Sequence, residues 1–158
     1  MELLEGMVIE LTKDHMDFAY CAQMMARTDP WIALEMDYDQ CILAFCGKEK
    51  ETYVAKIEDD IAGFVVLQIG GTFKGYIQTV CVGEEYRGKG IGKKLLQFCE
   101  ERILKISPNL FICVSSFNTG AIHLYEEFGF KRVGELKDFV KQGFTEILLR
   151  KTFGPIIR

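Results

Sequence analysis

The first third of the chain has one short apolar run, followed by apolar positions at helical spacing. Residues 7–11 form the run, which is typical of an edge strand. Apolar side chains over 15–27 then follow the helical period, which predicts a helix capped by Thr12. A second helix is predicted over 38–46, after an aromatic and acidic connector over 31–37.

The pattern changes to a period of two in the middle of the chain. Residues 52–58 alternate, and the segments 61–69 and 76–82 are mostly apolar, which predicts three strands. The turns between them contain Asp59-Asp60 and Gly70-Gly71. Strands joined by such short turns predict an antiparallel meander.

The second half of the chain mixes helical and strand-like segments. The predicted elements are a helix over 90–105, a strand over 110–115, a helix over 118–128 closed by Gly129, and a hairpin of 130–136 with 145–152. The predicted order is β-α-α-β-β-β-α-β-α-β-β. We find no internal repeat or linker, and we predict one domain over 1–158 of the α/β (α+β) class.

Composition and charge exclude several classes of function. Apolar residues make up 49% of the 158 residues, which predicts an ordered chain with a real core. The 19 basic and 23 acidic residues give a net charge of −4, so we do not expect a nucleic-acid partner. No stretch of about 20 apolar residues occurs, and the acidic segment Met1 to Glu5 lacks the features of a signal peptide, so we expect no membrane association.

The cysteines predict neither a metal site nor a disulfide framework. None of them forms a C-x-x-C pair, and most lie inside apolar runs: Cys21, Cys41, Cys46, Cys81, Cys99 and Cys113. We therefore expect no metal, reduced and mostly buried thiols, and a cytoplasmic location.

A glycine-rich segment after the strand 76–82 carries the clearest chemical signal. Three glycines, Gly88, Gly90 and Gly92, fall within five residues where a helix is predicted to begin. Glycines permit a close approach of the backbone, and a helix start presents unpaired N–H groups that favour phosphate. Basic side chains surround them: Arg87, Lys89, Lys93 and Lys94.

Two familiar phosphate-binding patterns do not fit this segment. Lys94 stands where the P-loop needs Ser or Thr, and the spacing G-x-G-x-x-G fails because Lys93 and Leu95 stand at the third glycine's position. The spacing Arg-x-x-Gly-x-Gly, at Arg87, Gly90 and Gly92, resembles the pyrophosphate loop of the GNAT superfamily of acetyltransferases. A second motif, from Asn118 through Tyr125 to Phe130, resembles that family's N-x-x-A-x-x-L-Y-x-x-x-G-F pattern.

The resemblance covers nearly the whole chain and implies a fold. It implies a mixed, twisted sheet of six or seven strands with about four helices. In such a sheet two neighbouring parallel strands, here 76–82 and 110–115, splay apart, and the pantetheine arm of coenzyme A enters the gap.

The resemblance also implies acetyl-CoA as cosubstrate and assigns roles to particular residues. The strand backbone at Val80, Cys81 and Val82 holds pantetheine, and Asn118 contacts the cofactor arm. Tyr125 protonates the leaving thiolate, a reasonable task for a phenol. The pyrophosphate is bound by the loop of Arg87, Gly88, Lys89, Gly90, Ile91, Gly92 and Lys93.

Each of these assignments has a structural alternative. The glycine loop can be a tight strand-to-helix connection with solvated lysines, Tyr125 can serve core packing, and Asn118 can cap its helix. Cys81 and Cys113 are better explained as core cysteines than as reactive thiols. At the level of the whole protein, the alternatives are a non-catalytic module that binds coenzyme A or acyl-CoA and a transferase for a longer acyl chain.

The predicted reaction is acetyl transfer by direct attack of a primary amine of a small molecule or peptide. Both motifs are similar to those of the ribosomal-protein alanine N-acetyltransferase type. In that type a glutamate stands where this chain has Cys113, and relatives with an acid on the preceding strand are matched here by Gln78 and Thr79. The candidate bases are therefore Glu35, Asp37 and Glu146, or a chain of water molecules.

The acceptor amine is predicted to bind at the connector between the first two helices. Its aromatic residue Trp31 can line a pocket, and the acidic residues Glu35 and Asp37 can attract a cationic amine. The alternative is a packed connector with solvated acids. A homodimer is also a possibility, with the strand residues 146–151 as its support.

Overall fold

The computed structural model describes residues 2–158, with side chains described from Leu4 onward; Met1, part of the N-terminal segment considered above, lies outside the described residues. The strands are β1 (Met7–Thr12), β2 (Lys50–Ile57), β3 (Asp60–Gln68), β4 (Tyr76–Val82), β5 (Asn109–Ser115), β6 (Lys131–Lys137) and β7 (Thr145–Thr152). The helices are α1 (Glu2–Glu5), α2 (His15–Ala26), α3 (Tyr38–Cys41), α4 (Ile91–Ile103) and α5 (Thr119–Phe128). Short 3-10 turns cover Ile42–Phe45 and Glu84–Tyr86.

All seven strands form one mixed sheet in the order β1-β2-β3-β4-β5-β7-β6. The predicted meander of β2, β3 and β4 is antiparallel, and β1 lies at an edge of the sheet, as its sequence predicts. The pair β4–β5 is parallel, and β5, β7 and β6 are antiparallel to their neighbours. The predicted fold class and element order are confirmed, with the single turn of α1 as an unpredicted addition.

The sheet separates two apolar cores. Helices α4 and α5 cover one face, where Leu95, Leu96 and Tyr125 pack against residues of β3, β4 and β5. Helix α2 and the turn after α3 cover the other face, where Met25 and Phe45 pack with side chains from β2, β3 and β4. Because successive side chains of a strand point to opposite faces, each central strand contributes to both cores.

Local hydrogen bonds correct two sequence predictions. Thr12 does not cap α2; the Asp14 side chain accepts a hydrogen bond from the Met16 N–H, and the Thr12 hydroxyl donates to Asp17 instead. The helix predicted over 38–46 divides after Cys41 into α3 and a 3-10 turn. Both errors concern which of several nearby polar groups bonds the backbone, and sequence spacing alone does not decide that.

The parallel strands β4 and β5 stay together only at one end. Their register runs through Tyr76 with Phe111 and Ile77 with Ile112 and then stops. At the joined end, Gly75 has φ +95°, and a Cβ at this position would collide with the Asn109 carbonyl. Beyond it, the β3–β4 register skips Gln78, a bulge that bends β4. The splayed pair that the family resemblance implies is therefore present.

Strand β7 is not available for pairing with a second copy of the chain. Its residues 146–151 are paired on one side with β5 and on the other with β6. The free edge at this end of the sheet belongs to β6, most of whose residues are exposed. A strand-mediated homodimer would therefore use β6 rather than the residues named from the sequence.

Candidate active site

A cavity of about 440 Å³ opens where β4 and β5 diverge. Its walls come from β4, β5, the start of α5, the α2–α3 connector and the β6–β7 loop. The predicted site residues Val80, Cys81, Val82, Arg87, Asn118, Tyr125 and Trp31 all line it. Residues separated by about 90 positions in sequence therefore meet in one space, which we call the splay cavity.

The glycine-rich loop forms the entrance to α4 at one end of the splay cavity. Gly88 and Gly90 have φ of +74° and +85°, a region that L side chains rarely adopt. Gly90 is the N-cap and no side chain caps the helix, so its first N–H groups face outward. The basic side chains of Lys89 and Lys93 are exposed beside them, and the arrangement suits a phosphate group.

Strand β4 presents an open backbone edge to the splay cavity. Beyond Ile77 none of its residues pairs with β5, so main-chain N–H and C=O groups along this edge can bind a ligand. The side chains of Val80 and Val82 pack toward the core under α4, while that of Cys81 lies in the opposite core. Burial raises the pKa of the Cys81 thiol to about 12, which keeps it protonated.

Tyr125 reaches the splay cavity from the α4–α5 face of the sheet. It lies in the second turn of α5, is 8% exposed, and has its ring edge against Phe130. Burial raises the pKa of its phenol above the ordinary value, with smaller contributions from Cys99 and Cys81. The phenol therefore keeps its proton at neutral pH, as a proton donor must.

Asn118 both caps α5 and lines the splay cavity. Its side-chain oxygen accepts a hydrogen bond from the Ala121 N–H at 3.4 Å. Its amide NH₂ group remains as a donor toward the cavity. The sequence allowed two interpretations of Asn118, as a helix cap and as a cofactor contact. The structure is compatible with both at once.

A buried carboxylate lines the splay cavity. Glu146, at the start of β7, is 6% exposed and accepts hydrogen bonds from the Ser115 hydroxyl at 2.9 and 3.2 Å. Burial raises the pKa of this carboxyl, and the bond from Ser115 partly opposes the shift. Its neighbours on the cavity wall include Tyr76 and Cys113.

Only one of the three residues predicted to bind the acceptor lines the splay cavity. Trp31 does so, half-buried, whereas Glu35 and Asp37 do not. The Glu35 carboxylate pairs with Lys141 at 2.7 Å and is largely exposed. Asp37 caps α3 by accepting a hydrogen bond from the Gln40 N–H.

The structure adds cavity residues that sequence reasoning missed. Ser115 and Tyr76 come from the splayed strands, and the exposed apolar residues Phe139 and Val140 come from the β6–β7 loop. The strand period gives a usable signal for Ser115, since it places that residue on the same face as Cys113. The loop has no periodic pattern, so nothing in its sequence indicates where it folds.

The described part of the chain contains neither a metal-binding cluster nor a membrane-spanning helix. Among the described side chains, from Leu4 to Arg158, no group of three or more His, Cys, Asp or Glu residues is arranged to hold a metal ion. None of the helices within residues 2–158 has the length and apolar character needed to cross a bilayer.

Known proteins resemble this chain in sequence and in fold. The model of the acetyltransferase (GNAT) family matches residues 11–130. An N-alpha-acetyltransferase of Sulfurisphaera tokodaii is 28% identical over 127 residues, which cover 71% of this chain and 76% of that protein. A GNAT-family structure from Desulfovibrio desulfuricans superposes with a TM-score of 0.75 at 17% identity, covering 94% of this chain and 99% of that one. A GNAT acetyltransferase from Elizabethkingia anophelis, solved with acetyl-CoA bound, gives a TM-score of 0.68 at 20% identity over the same shares.

The splayed parallel pair, the glycine loop and the cavity between them define an acyl-CoA-dependent transferase. The match to the family model identifies the class of transferase, because the matched residues span most of the described helices and strands. The chain belongs to the GNAT family and is an acetyl-CoA-dependent N-acetyltransferase, as its two motifs predict.

Proposed function

We propose that this N-acetyltransferase acetylates the α-amino group of a peptide by direct attack on acetyl-CoA. The observation that carries the proposal is the splay cavity, where the open edge of β4, Asn118 and Tyr125 meet. The similarity to an N-alpha-acetyltransferase supports a peptide amine over a small-molecule amine. We infer one domain over 1–158, which the single seven-stranded sheet supports.

The cofactor side of the reaction uses backbone groups more than side chains. N–H groups at the start of α4 bind the pyrophosphate, with Arg87, Lys89 and Lys93 supplying positive charge. The open edge of β4 from Val80 to Val82 binds the pantetheine arm as a neighbouring strand would. Its N–H groups also polarise the thioester carbonyl where negative charge develops.

The leaving group departs toward Tyr125. When the amine nitrogen bonds to the thioester carbon and the C–S bond breaks, the sulfur becomes a thiolate. The Tyr125 phenol gives this sulfur its proton and regains one from the substituted nitrogen. Amide and free thiol are then the products, and no covalent enzyme intermediate is needed.

The acceptor enters on the face of the sheet opposite to Tyr125, beneath the α2–α3 connector. Trp31, Leu34 and Met36 from the connector and Phe139 and Val140 from the β6–β7 loop give the cavity an apolar wall there. An apolar wall binds an apolar side chain next to the amine and disfavours a second charge. We therefore propose a peptide whose first residue is apolar; attraction of the amine by Glu35 and Asp37 remains a prediction.

Two further proposals concern the setting of the protein. All six cysteines are free thiols, which supports the predicted cytoplasmic location. A homodimer remains a prediction, with the exposed edge strand β6 as the surface to test by measuring molar mass in solution.

The test combines calorimetry with an acceptor screen. Acetyl-CoA is titrated into the protein, and tetrapeptide amides starting with Leu, Ala, Ser or Glu are compared with spermidine by release of free thiol and by mass spectrometry. We expect acetyl-CoA binding and the fastest transfer to the Leu peptide. Binding without transfer to any amine would instead support a coenzyme A binding module, and preferred acetylation of spermidine would exclude the apolar acceptor.

A further inference from the structure

Glu146 is a buried carboxylate whose described surroundings offer it no cation. Within residues 2–158 its hydrogen bonds come from the Ser115 hydroxyl, and it forms no ion pair with a Lys, Arg or His side chain. Burying a carboxylate without a cationic partner costs free energy that a glutamine of the same shape would not cost. A buried and perturbed ionisable group that lines a cavity is a candidate functional group.

The position of Glu146 in the sheet directs it at the reaction centre. Glu146 is paired in register with Ser115, at the end of β5 that has separated from β4. Its neighbour Ile147 packs in the core under α4 and α5, so the Glu146 side chain lies on the opposite face, the face of the α2–α3 connector. Tyr125 approaches from the α4–α5 face, and the two groups therefore reach the gap from opposite sides.

We infer that Glu146 receives the cationic amine of the acceptor and removes its proton before the amine attacks. The inference rests on the proposed function, since it assigns the base for that reaction. Some relatives carry a carboxylate at the position of Cys113, and others carry one on the strand that here contains Gln78 and Thr79. In this chain Glu146 supplies the carboxylate from a different strand of the same sheet, β7.

The proton balance is complete with Glu146 and Tyr125 alone. An acceptor that arrives as ammonium gives one proton to Glu146, which later loses it to solvent. The neutral amine forms the C–N bond as the C–S bond breaks, and its second proton replaces the one that Tyr125 has given to sulfur. The sum is amide, coenzyme A thiol and one released proton.

Other acidic groups near the splay cavity are less suited to this role. Asp29 lines the cavity but is exposed, and its carboxylate accepts a hydrogen bond from the Ala33 N–H. Burial raises the pKa of the Cys113 thiol and of the Tyr76 phenol, so both stay protonated at neutral pH. Cys113 and Tyr76 are also the titratable groups that face Glu146 from β5 and β4, while Leu136 opposes it on β6.

The pH dependence of transfer in Glu146→Gln tests the inference. With the Leu tetrapeptide amide as acceptor, kcat at neutral pH should fall roughly 100-fold, the lower end for general base catalysis. The gap to the wild type should close as pH rises past the acceptor's own α-amine pKa of about 8, because solvent then removes the proton. The dissociation constant for acetyl-CoA should not change, and Glu100→Gln, on α4 outside the cavity, is the matched control.

Ser115→Ala tests how Glu146 is held. The Ser115 hydroxyl stabilises the ionised carboxylate, so its removal should raise the pKa of Glu146 further. A base must be ionised to act, so the acidic limb of the kcat profile should move to higher pH while the maximum rate is largely kept.

A stability measurement tests the buried charge without turnover. The folded-state pKa of Glu146 lies above its unfolded value, so the folded protein binds more protons and stability falls as pH rises from the unfolded pKa through the folded one. Glu146→Gln should therefore raise Tm at pH 8 and raise it by less at pH 4.5.

Three outcomes would overturn the inference. The first is a Glu146→Gln variant with the kcat and the pH profile of the wild type. The second is an Asp29→Asn variant whose pH profile changes as that of Glu146→Gln does. The third is loss of acetyl-CoA binding in Glu146→Gln. Absence of transfer by the wild type would overturn the proposed function itself.

Discussion

At the scale of single residues, the environment of Tyr125 suits both core packing and the proposed proton donation. The ring packs in the core beside Phe130, and the residue also lines the splay cavity. Packing and catalysis are therefore separable, because a phenylalanine preserves the ring and removes the proton.

We expect Tyr125→Phe to lower kcat about 100-fold, the lower end of the range for acid catalysis, with little change in Tm. Tyr53→Phe is the matched control, since its hydroxyl bonds Glu51 in the core outside the cavity and its loss should affect stability only. Steady-state kinetics and thermal melts of both variants provide the measurement. Equal kcat values for Tyr125→Phe and wild type would remove Tyr125 from the mechanism.

Two glycines with the same backbone conformation separate cofactor binding from strain. Gly88 in the loop has φ +74° and Gly71, between β3 and β4, has φ +80°, and a Cβ at either position meets open space. Alanine at each should therefore cost a similar free energy of unfolding, about 1 kcal/mol.

We expect only Gly88→Ala to weaken acetyl-CoA binding, by roughly tenfold or 1.4 kcal/mol, because the pyrophosphate approaches that backbone closely. Calorimetric titration of Gly88→Ala and Gly71→Ala gives the comparison. If both variants bind acetyl-CoA as the wild type does, the phosphate groups do not contact the loop at Gly88.

At the scale of elements, the α2–α3 connector allows the proposed acceptor binding to be tested separately from cofactor binding. Trp31 lines the splay cavity while its neighbour Ile32 is 51% exposed and does not. A side chain that contacts the acceptor alone changes the KM of the acceptor without changing that of acetyl-CoA.

Trp31→Ala should raise the acceptor KM at least about tenfold, the effect of roughly 1.4 kcal/mol of lost apolar contact, and leave the acetyl-CoA KM nearly constant. Ile32→Ala is the control and should change neither constant. Initial rates with each substrate varied in turn provide the test. A larger effect of Trp31→Ala on acetyl-CoA would place this side chain at the cofactor.

Strands and most helix caps follow the local sequence pattern, and the N-cap of α2 is the exception. The meander, the hairpin, Gly129 at the end of α5 and Asn118 at its start all agree with the sequence predictions. Thr12 and Asp14 are both good caps within two residues of each other, and only the three-dimensional path of the chain selects Asp14.

At the scale of the whole molecule, binding at the splay cavity should stabilise the fold. The cavity joins β4, β5 and α5 with the connector and a loop, so a ligand there contacts distant parts of the chain. At 100 times its Kd, acetyl-CoA should add about 2.7 kcal/mol to the stability. A chain of this size should then gain roughly 5–10 °C in Tm, measured by a thermal shift assay. If contacts to the pyrophosphate provide most of the binding free energy, dephosphocoenzyme A should give a similar shift in Tm.

The site was only partly predictable, and the reason is geometric. Tyr125, Asn118 and the glycine loop belong to contiguous motifs, so their spacing can be read along the chain. Glu146 belongs to no motif, because its place beside Ser115 at the splay cavity depends on the pairing of β7 with β5. Glu35 and Asp37 look equally suitable in sequence, but in the structure Glu35 pairs with Lys141, Asp37 caps α3, and neither lines the splay cavity.

The sequence by itself determined the element order, the meander, the glycine-rich loop before α4 and the family, because each depends on side-chain period or on residues close together in the chain. The tertiary structure alone decided which carboxylate is buried, which side chains line the splay cavity and where β4 leaves β5. Those features arise from contacts between segments far apart in sequence. Burial and the loss of water that accompanies it are properties of the packed chain, and they make Glu146 chemically different from the exposed acids.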